Sequence, residues 1–408
     1  MKLRQTPYWL DRIPAPRRPS FPKLRTAVET RVVIVGGGLT GAAAAYVLTA
    51  ARIPVVLVEA ETVCGGATAG AIGLIREDPD ASFSATAALY GLRSARLVWQ
   101  EVRRASLEIG ATLRRLRVKC DLAPHDLLSL AGPEQAAARG LRREFEARRK
   151  AGLDHRWIAA AAVQRDAAID RAGAIKTSAY GVDPVRAGLG LLAAAAARGA
   201  QVFQRSPAVK LRNRGQRIEV VTSGGSVSAD FAIVAGAGSL RELQPLRRHL
   251  HARQGYGVVT GVLPPAIRRE VGPRMNALRL GEDVPRYVRW LEDGRALVAG
   301  ADQPPVPPRM RDRAVIQRTG QLMYELSLLY PAISGTPAEW GWSCGFDDTV
   351  DGLPYIGTHR NFPRHLFALG LGRHGAAMSW LAARILLRHV SGDSAKSHEQ
   401  FSFARILH

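Results

Sequence analysis

The first thirty residues show no apolar period. They are rich in proline and arginine, with Tyr8, Trp9 and Phe21 among them, and predict an extended arm lying on the body of the protein. From Arg31 the pattern changes to β-branched apolar residues, then glycines, then an alanine-rich helical run, then Val55-Val56-Leu57-Val58-Glu59. That order predicts strand, helix, strand: a βαβ unit. Residues 84–107 predict a long amphipathic helix with Leu89, Leu92, Leu97 and Val98 near a period of about 3.6. The stretch 110–180 is less regular, with a strand expected over 112–120 and a charged helix over 133–150, and resembles an insertion. Asp183 followed by Pro184 marks a helix start, an N-cap with proline at the first helical position, and Gly199 its end. Strands are expected at 201–203, 217–222 and 231–234. Strand-like runs at 256–262, 287–291 and 296–299 predict an antiparallel sheet, and helices near 313–329 and 376–390 close the chain.

A chain of 408 residues with 47% hydrophobic and 23% charged positions has ordinary globular composition and room for two to three domains. The longest apolar stretch, 42–58, is broken by Arg52 and Pro54, short of the ~18–20 residues a bilayer span needs. Three cysteines, Cys64, Cys120 and Cys344, do not make a disulfide framework, and a reducing cytoplasm is expected. Arg17-Arg18 is no twin-arginine signal, because Pro19, Pro22, Lys23 and Arg25 follow where an apolar segment belongs. The net charge is +22, and all but seven of the 57 basic residues are arginine. A nucleic-acid partner is one reading. The arginines are spread along the whole chain without an RNA-binding motif, so a solvated basic surface accounts for them. The clusters Arg114, Arg115, Arg117 and Arg142, Arg143, Arg148, Arg149 are expected on exposed faces.

The chemistry begins at Gly36-Gly37-Gly38-Leu39-Thr40-Gly41, a G-x-G-x-x-G set between the predicted strand and helix. Gly36 permits the tight turn, Gly38 lets the backbone approach a diphosphate, and Gly41 allows close packing of helix on strand. The diphosphate then sits on a helix N-terminus, where unpaired N–H groups favour negative charge. Glu59, 23 residues after Gly36, ends the second strand with Ala60 beside it. A carboxylate there accepts bonds from ribose hydroxyls and repels a 2′-phosphate, so NAD or FAD is expected and NADP is not.

A second glycine-rich loop follows at once, from Cys64-Gly65-Gly66-Ala67-Thr68 to Gly73-Leu74-Ile75-Arg76-Glu77. Further on come Ala229 to Gly238 and Thr349-Val350-Asp351-Gly352-Leu353-Pro354-Tyr355-Ile356-Gly357, then Gly370-Leu371-Gly372-Arg373-His374-Gly375. On these segments the chain resembles, over nearly its whole length, the FAD-dependent oxidoreductases that include D-amino-acid oxidase, glycine oxidase and sarcosine oxidase. The resemblance implies an α/β fold with an α+β second domain. A Rossmann-like FAD-binding domain would take 31–108, 172–245 and 338–408, after an N-terminal arm at 1–30. A substrate domain on an antiparallel sheet would take 109–171 and 246–337, the chain passing between the two more than once. It implies FAD contacts at Gly36, Gly38, Leu39, Thr40, Gly41, Glu59, Ala60, Ala67, Thr68, Gly73, Leu74, Val209, Ala235, Gly236, Gly372, Arg373, His374, Gly375 and Ala376. Val209 would meet the adenine through its backbone, and the last segment would aim N–H groups at the reduced ring.

The resemblance further implies oxidation of an amine or amino acid, by hydride transfer from the carbon next to a neutral amine to flavin N5 and hydrolysis of the imine. Oxygen, or a quinone or protein, would receive the electrons; a relative that trims a tRNA side chain offers another reading. Arg76, directly after the flavin-covering loop, matches an arginine that holds a substrate carboxylate in sarcosine oxidase. The lysine that completes that clamp falls on or near Ala377, and no lysine occurs in 296–300 to activate oxygen. Arg373 and His374 are candidates for charge near the ring, and Tyr256 and Tyr287 for shaping the pocket; an aromatic packed in the sheet is the plainer reading of each tyrosine. Cys344 stands seven residues before Asp351, where monomeric sarcosine oxidase bonds to its flavin. Its neighbours Trp342, Ser343, Gly345 and Phe346 resemble instead those of members with a non-covalent flavin. No Ser/His/Asp arrangement or metal-ligand spacing is evident.

Overall fold

Val32, Val33 and Ile34 of the strand Ala27–Val35 are inaccessible on both faces, as befits the middle strand of a parallel sheet covered on both sides. The computed structural model describes residues 3–405 apart from 237–240, 272–275, 282–284, 374 and 394. In it Ala27–Val35 lies between Val55–Val58 and Ser226–Ala235, parallel to both. Gln201–Phe203 extends the sheet on one side, Phe362–Leu369 and Tyr355–His359 on the other. A hairpin of Ala208–Arg214 and Arg217–Thr222 branches from Ser226–Ala235. Val32, Ile34 and Leu57 face the helices, whereas Val33, Val56 and Val58 face Ile218 and Val220 of the hairpin.

The helix Leu39–Ala50 is alanine-rich because it is packed on two sides. Ala42, Ala43, Ala44 and Ala45 are fully buried, which brings Pro184–Ala196 and Ala376–Val390 against it. Asp183 starts the second of these helices as expected, its carboxylate accepting from the N–H groups of Val185 and Arg186 at 3.1 and 3.0 Å. Below lies a second sheet in the order Ala338–Asp348, His251–Thr260, Ala296–Gln303, Arg286–Trp290, Asn276–Leu280, Ala123–Leu130, Gly173–Gly181, Leu74–Arg76, with Arg156–Ala159 also pairing Gly173–Gly181. Its far face is covered by the helix Arg311–Leu329, whose Leu322 and Leu326 pack on Val258 and Val298. No helix among the described residues is long and apolar enough to cross a membrane.

Several boundaries differ from expectation. Gly173–Gly181 and Ala338–Asp348 pair in the second sheet, so the domain limits placed at 172 and 338 each come one strand too early. No strand forms at 112–120. The helix Phe83–Arg115 runs into its first residues because Val98, Val102, Ala105, Ile109 and Leu113 carry the buried stripe onward, and a turn follows. Leu89 and Leu92 are exposed, since Gly91 at φ +81° breaks the helix and resets its phase. Arg148 is buried, lying over Trp99 at 4.3 Å and paired with Glu144 at 2.7 Å.

The arm is more than extended chain. Its short helix Tyr8–Asp11 buries Tyr8 and Trp9. Trp9 Nε1 donates to Ala71 O at 2.7 Å, Tyr8 donates to Asp293 at 2.8 Å, and the Arg4 backbone pairs with Glu339 and Gly341. Arg12 meets Asp121 at 2.6 Å. The arm thus pins the loop at 71–73 to the second sheet. Replacing Trp9 with alanine is expected to cost about 3–5 kcal/mol of stability, read as a lowered thermal midpoint, and to speed flavin release; an unchanged midpoint would refute the pinning.

Candidate active site

The turn after the first strand is set by two contacts that no side chain allows. Gly36 has φ +110°, and a carbon added to it would stand 2.5 Å from Ala235 O. One added to Gly41 would stand 1.9 Å from Gly36 O. The helix Leu39–Ala50 therefore begins hard against the sheet with its first-turn N–H groups toward the opening. One of them, Leu39 N–H, donates to Thr68 Oγ1 at 2.9 Å, joining the first glycine segment to the second. Glu59 accepts from Gly37 N–H at 2.6 Å and Glu61 N–H at 2.9 Å, so its carboxylate is fixed at the mouth of the turn. Thr40 and Ser379 share a hydroxyl–hydroxyl bond at 2.9 Å, which brings the N-terminus of Ala376–Val390 beside that of Leu39–Ala50.

A cleft of ≈ 530 Å³ runs along these elements, and it gathers most of the residues expected to bind FAD. Gly36, Gly38, Leu39, Thr40, Glu59, Ala67, Thr68, Gly73, Leu74, Ala235, Gly236, Gly372, Arg373, Gly375 and Ala376 all line it. Gly41 lies behind the turn it makes possible. Ala60 is exposed next to Glu59 and outside the lining. Val209 is also outside it, exposed at the register shift between Ala208 and Lys210, where a bulge takes its backbone out of the ladder. His374 is outside the described residues. Two convergent helix N-termini, a turn without side chains and an oriented carboxylate fit a dinucleotide diphosphate and ribose.

The loop 71–73 is held from below by a residue that sequence reasoning missed. Arg289, buried in the second sheet, donates to the carbonyls of Ile72, Gly73 and Val182 at 3.3, 2.5 and 2.9 Å. Burial pulls its pKa down to about 10. Its only sequence signal is its place two residues after Tyr287, on the same face of that strand.

The candidate catalytic side chains do not all meet. Tyr287 is buried on the cleft face and accepts from Arg76 Nη1 at 2.5 Å. Tyr256 is on the opposite face. Register fixes this: Gly257 and Tyr287 both pair with Ala299, so the residue before Gly257 must point away. Tyr256 lies among Val258 and Leu322 and accepts from Gln303 Nε2 at 2.7 Å. Arg373 is buried, bonded to the carbonyls of Tyr256 and Gly300 and paired with Asp302. Burial pulls its pKa down to about 10. Cys344 packs on Gly70, its thiol 3.7 Å from Gly70 O, and burial pushes it up to about 12. Its neighbours Gly345 and Phe346 line the cleft, and it does not.

A glycine cradle for a dinucleotide facing a second sheet that is antiparallel except where Asn276–Leu280 runs parallel to Ala123–Leu130, a departure from the antiparallel sheet expected, defines a flavoprotein oxidoreductase. The chain belongs to the FAD dependent oxidoreductase family, whose model matches residues 31–388. It is 25% identical over 393 residues to the gamma-glutamylputrescine oxidoreductase of Escherichia coli, covering 95% of this chain and 89% of that protein. It is 27% identical over 369 residues to the glycine oxidase of Geobacillus kaustophilus, covering 87% and 91%. The crystal structure of glycine oxidase from Geobacillus kaustophilus superposes with a TM-score of 0.74 at 21% identity, covering 93% of this chain and all of that one. The protein is therefore an FAD-dependent oxidoreductase, with the two-sheet fold expected.

Two outcomes test the site. Gly41→Val is expected to abolish flavin retention, because its side chain cannot coexist with the Gly36 carbonyl; a variant purified with full yellow colour would sink the cradle. Acid denaturation is expected to leave all flavin in the supernatant, and Cys344→Ser to retain flavin as the parent does. Colour in the pellet would show a covalent bond.

Proposed function

We propose that the enzyme oxidises the C–N bond of an amine or amino acid. When bound, the flavin supplies a hydride acceptor at N5 for the carbon next to the nitrogen, and water hydrolyses the resulting imine. The observation that carries this reading is the convergence of both glycine segments and both helix N-termini on one cleft against the second sheet. The names of the relatives, an amine oxidoreductase and glycine oxidases, point the same way.

The roles of this chain's residues follow from their places. The N-terminus of Ala376–Val390 would offer a positive dipole end to negative charge on a bound flavin, and Gly372, Gly375 and Ala376, which line the cleft, would hold it there. Arg289 and Trp9 hold the loop 71–73, which would cover a bound ring, and Arg76 with Tyr287 ties the strand that follows this loop to the second sheet. A neutral amine supplies its own electron push, so positioning matters more than a dedicated base. Oxygen, a quinone or a protein then takes the electrons.

Anaerobic mixing with a panel of primary amines, secondary amines and amino acids is expected to bleach the visible flavin band with at least one class, while dithionite bleaches it regardless. Bleaching by dithionite alone, across the whole panel, would overturn C–N oxidation. Peroxide release compared with dye reduction on the active compound then identifies the acceptor.

A further inference from the structure

We infer that Arg289 is a positioning residue that tunes the flavin: it turns the loop 71–73 so that N–H groups face the cleft, and it lends the reduced ring a positive charge that no carboxylate of the protein neutralises. This rests on the loop covering the bound flavin, as proposed above, and is independent of which compound is oxidised.

The charge itself is exceptional in this molecule. Arg76, Arg148, Arg373 and Arg405, the other arginines buried among the described residues, touch the carboxylates of Asp80, Glu144, Asp302 and Asp351 respectively. Arg289 touches no carboxylate among the described residues. Its Nη1 donates to the carbonyls of Ile72, Gly73 and Val182, its Nε has no partner, and its guanidinium carbon stands 5.2 Å from the Trp9 ring. Burial lowers its pKa only to about 10, so the group stays charged at neutral pH. Asp183 and Asp121, which act on it from further away, are already met by Arg12 and Arg186, and Glu292 is exposed to solvent. His125, close to the guanidinium, is held toward its neutral form by burial and then by Arg289. A buried cation without a counter-ion is costly. An anion arriving within reach offsets that cost, and a reduced flavin is such an anion.

The direction of the loop is the second observation. Trp9 Nε1 holds Ala71 O at 2.7 Å and Arg289 holds Ile72 O at 3.3 Å, and both peptides are trans. In a trans peptide the N–H points opposite to the C=O, so the N–H groups of Ile72 and Gly73 point away from the indole and the guanidinium. Neither has an acceptor among the described residues, and both residues line the cleft. Consecutive buried donors require an acceptor, and the polar edge of a flavin ring offers several. Gly73, at φ +76°, admits Arg289 and Trp9 where a side chain would collide with each. Ile72, Gly73 and Val182 all line the cleft, so a single layer of backbone separates the charge from it.

The test uses the flavin-loaded enzyme and sulfite, which adds reversibly to an oxidised flavin and leaves negative charge on the ring. The parent is expected to lose its visible band saturably. Arg289→Met is expected to weaken sulfite binding about tenfold and to lower the flavin midpoint potential by the equivalent ~30 mV of a two-electron couple. Arg289→Lys, which keeps the charge, is expected to restore most of both. His125→Glu leaves Arg289 in place and supplies the carboxylate it lacks, since His125 Cε1 and Arg289 Nη2 stand 2.6 and 2.7 Å from the position a side chain would take on Gly181. It is expected to weaken sulfite binding as Arg289→Met does, and it decides the matter if Arg289→Met does not retain flavin. A parent indifferent to sulfite, or an affinity and potential unchanged in Arg289→Met or in His125→Glu, overturns the assignment. So does a loss in Arg289→Lys equal to that in Arg289→Met, the mark of packing without charge. C–N oxidation fails separately: an amine panel that never bleaches the flavin leaves the sulfite result standing, and a panel that bleaches it while the variants behave as the parent removes only the role of Arg289.

Discussion

Everything in this molecule is arranged around one close approach, the Gly41 backbone against the Gly36 carbonyl. It allows the helix Leu39–Ala50 to start just after the first strand, so its first turn opens onto the cleft, with Leu39 N–H tied to Thr68 of the second glycine segment. The same helix must then be thin, because Pro184–Ala196 and Ala376–Val390 flank it, and its run of buried alanines meets that demand. Placing Ala376–Val390 there brings a second helix N-terminus to the cleft, and with it Gly370, Gly372 and Gly375. One steric constraint at the turn thus propagates into the position of chain more than three hundred residues away.

What could be read from the sequence is what is local in it. The glycine turn, Glu59 at the end of the next strand, the Asp183 cap and the last helix each depend on residues within a few turns of one another, and each formed where expected. The residues that missed are those whose place is set by strand register. Tyr256 and Tyr287 look alike as aromatics in predicted strands, yet the shared pairing with Ala299 sends them to opposite faces. Gly173–Gly181 and Ala338–Asp348 read as ordinary strands, and only pairing partners distant in sequence decide which sheet takes them. Arg289 gives no motif at all, because its partners are carbonyls of a loop from another part of the chain.

The acidic run Arg76-Glu77-Asp78-Pro79-Asp80 was in plain view, and its meaning depends on geometry. An arginine after the flavin-covering loop looks like an anion site until its donors are counted. Pro79 turns the chain so that Asp80 folds back onto the guanidinium, an i,i+4 pair outside any helix. Glu77 points the other way, accepting from Ser178 N–H at 2.9 Å and meeting Arg103 at 3.2 Å. Asp78 and Asp80 thus face the guanidinium, whereas Glu77 is buried against the neighbouring strand.

This separates what the fold conserves physically from what it leaves adjustable. Binding a dinucleotide needs backbone, helix ends and absent side chains, and those requirements leave little freedom at Gly36, Gly38 and Gly41. Arg76, held by Asp80, joins the strand Leu74–Arg76 to Tyr287 of the second sheet and so supports the loop before it. Fold and cofactor are therefore shared with relatives about one quarter identical, because they rest on backbone and absent side chains rather than on the side chains that differ.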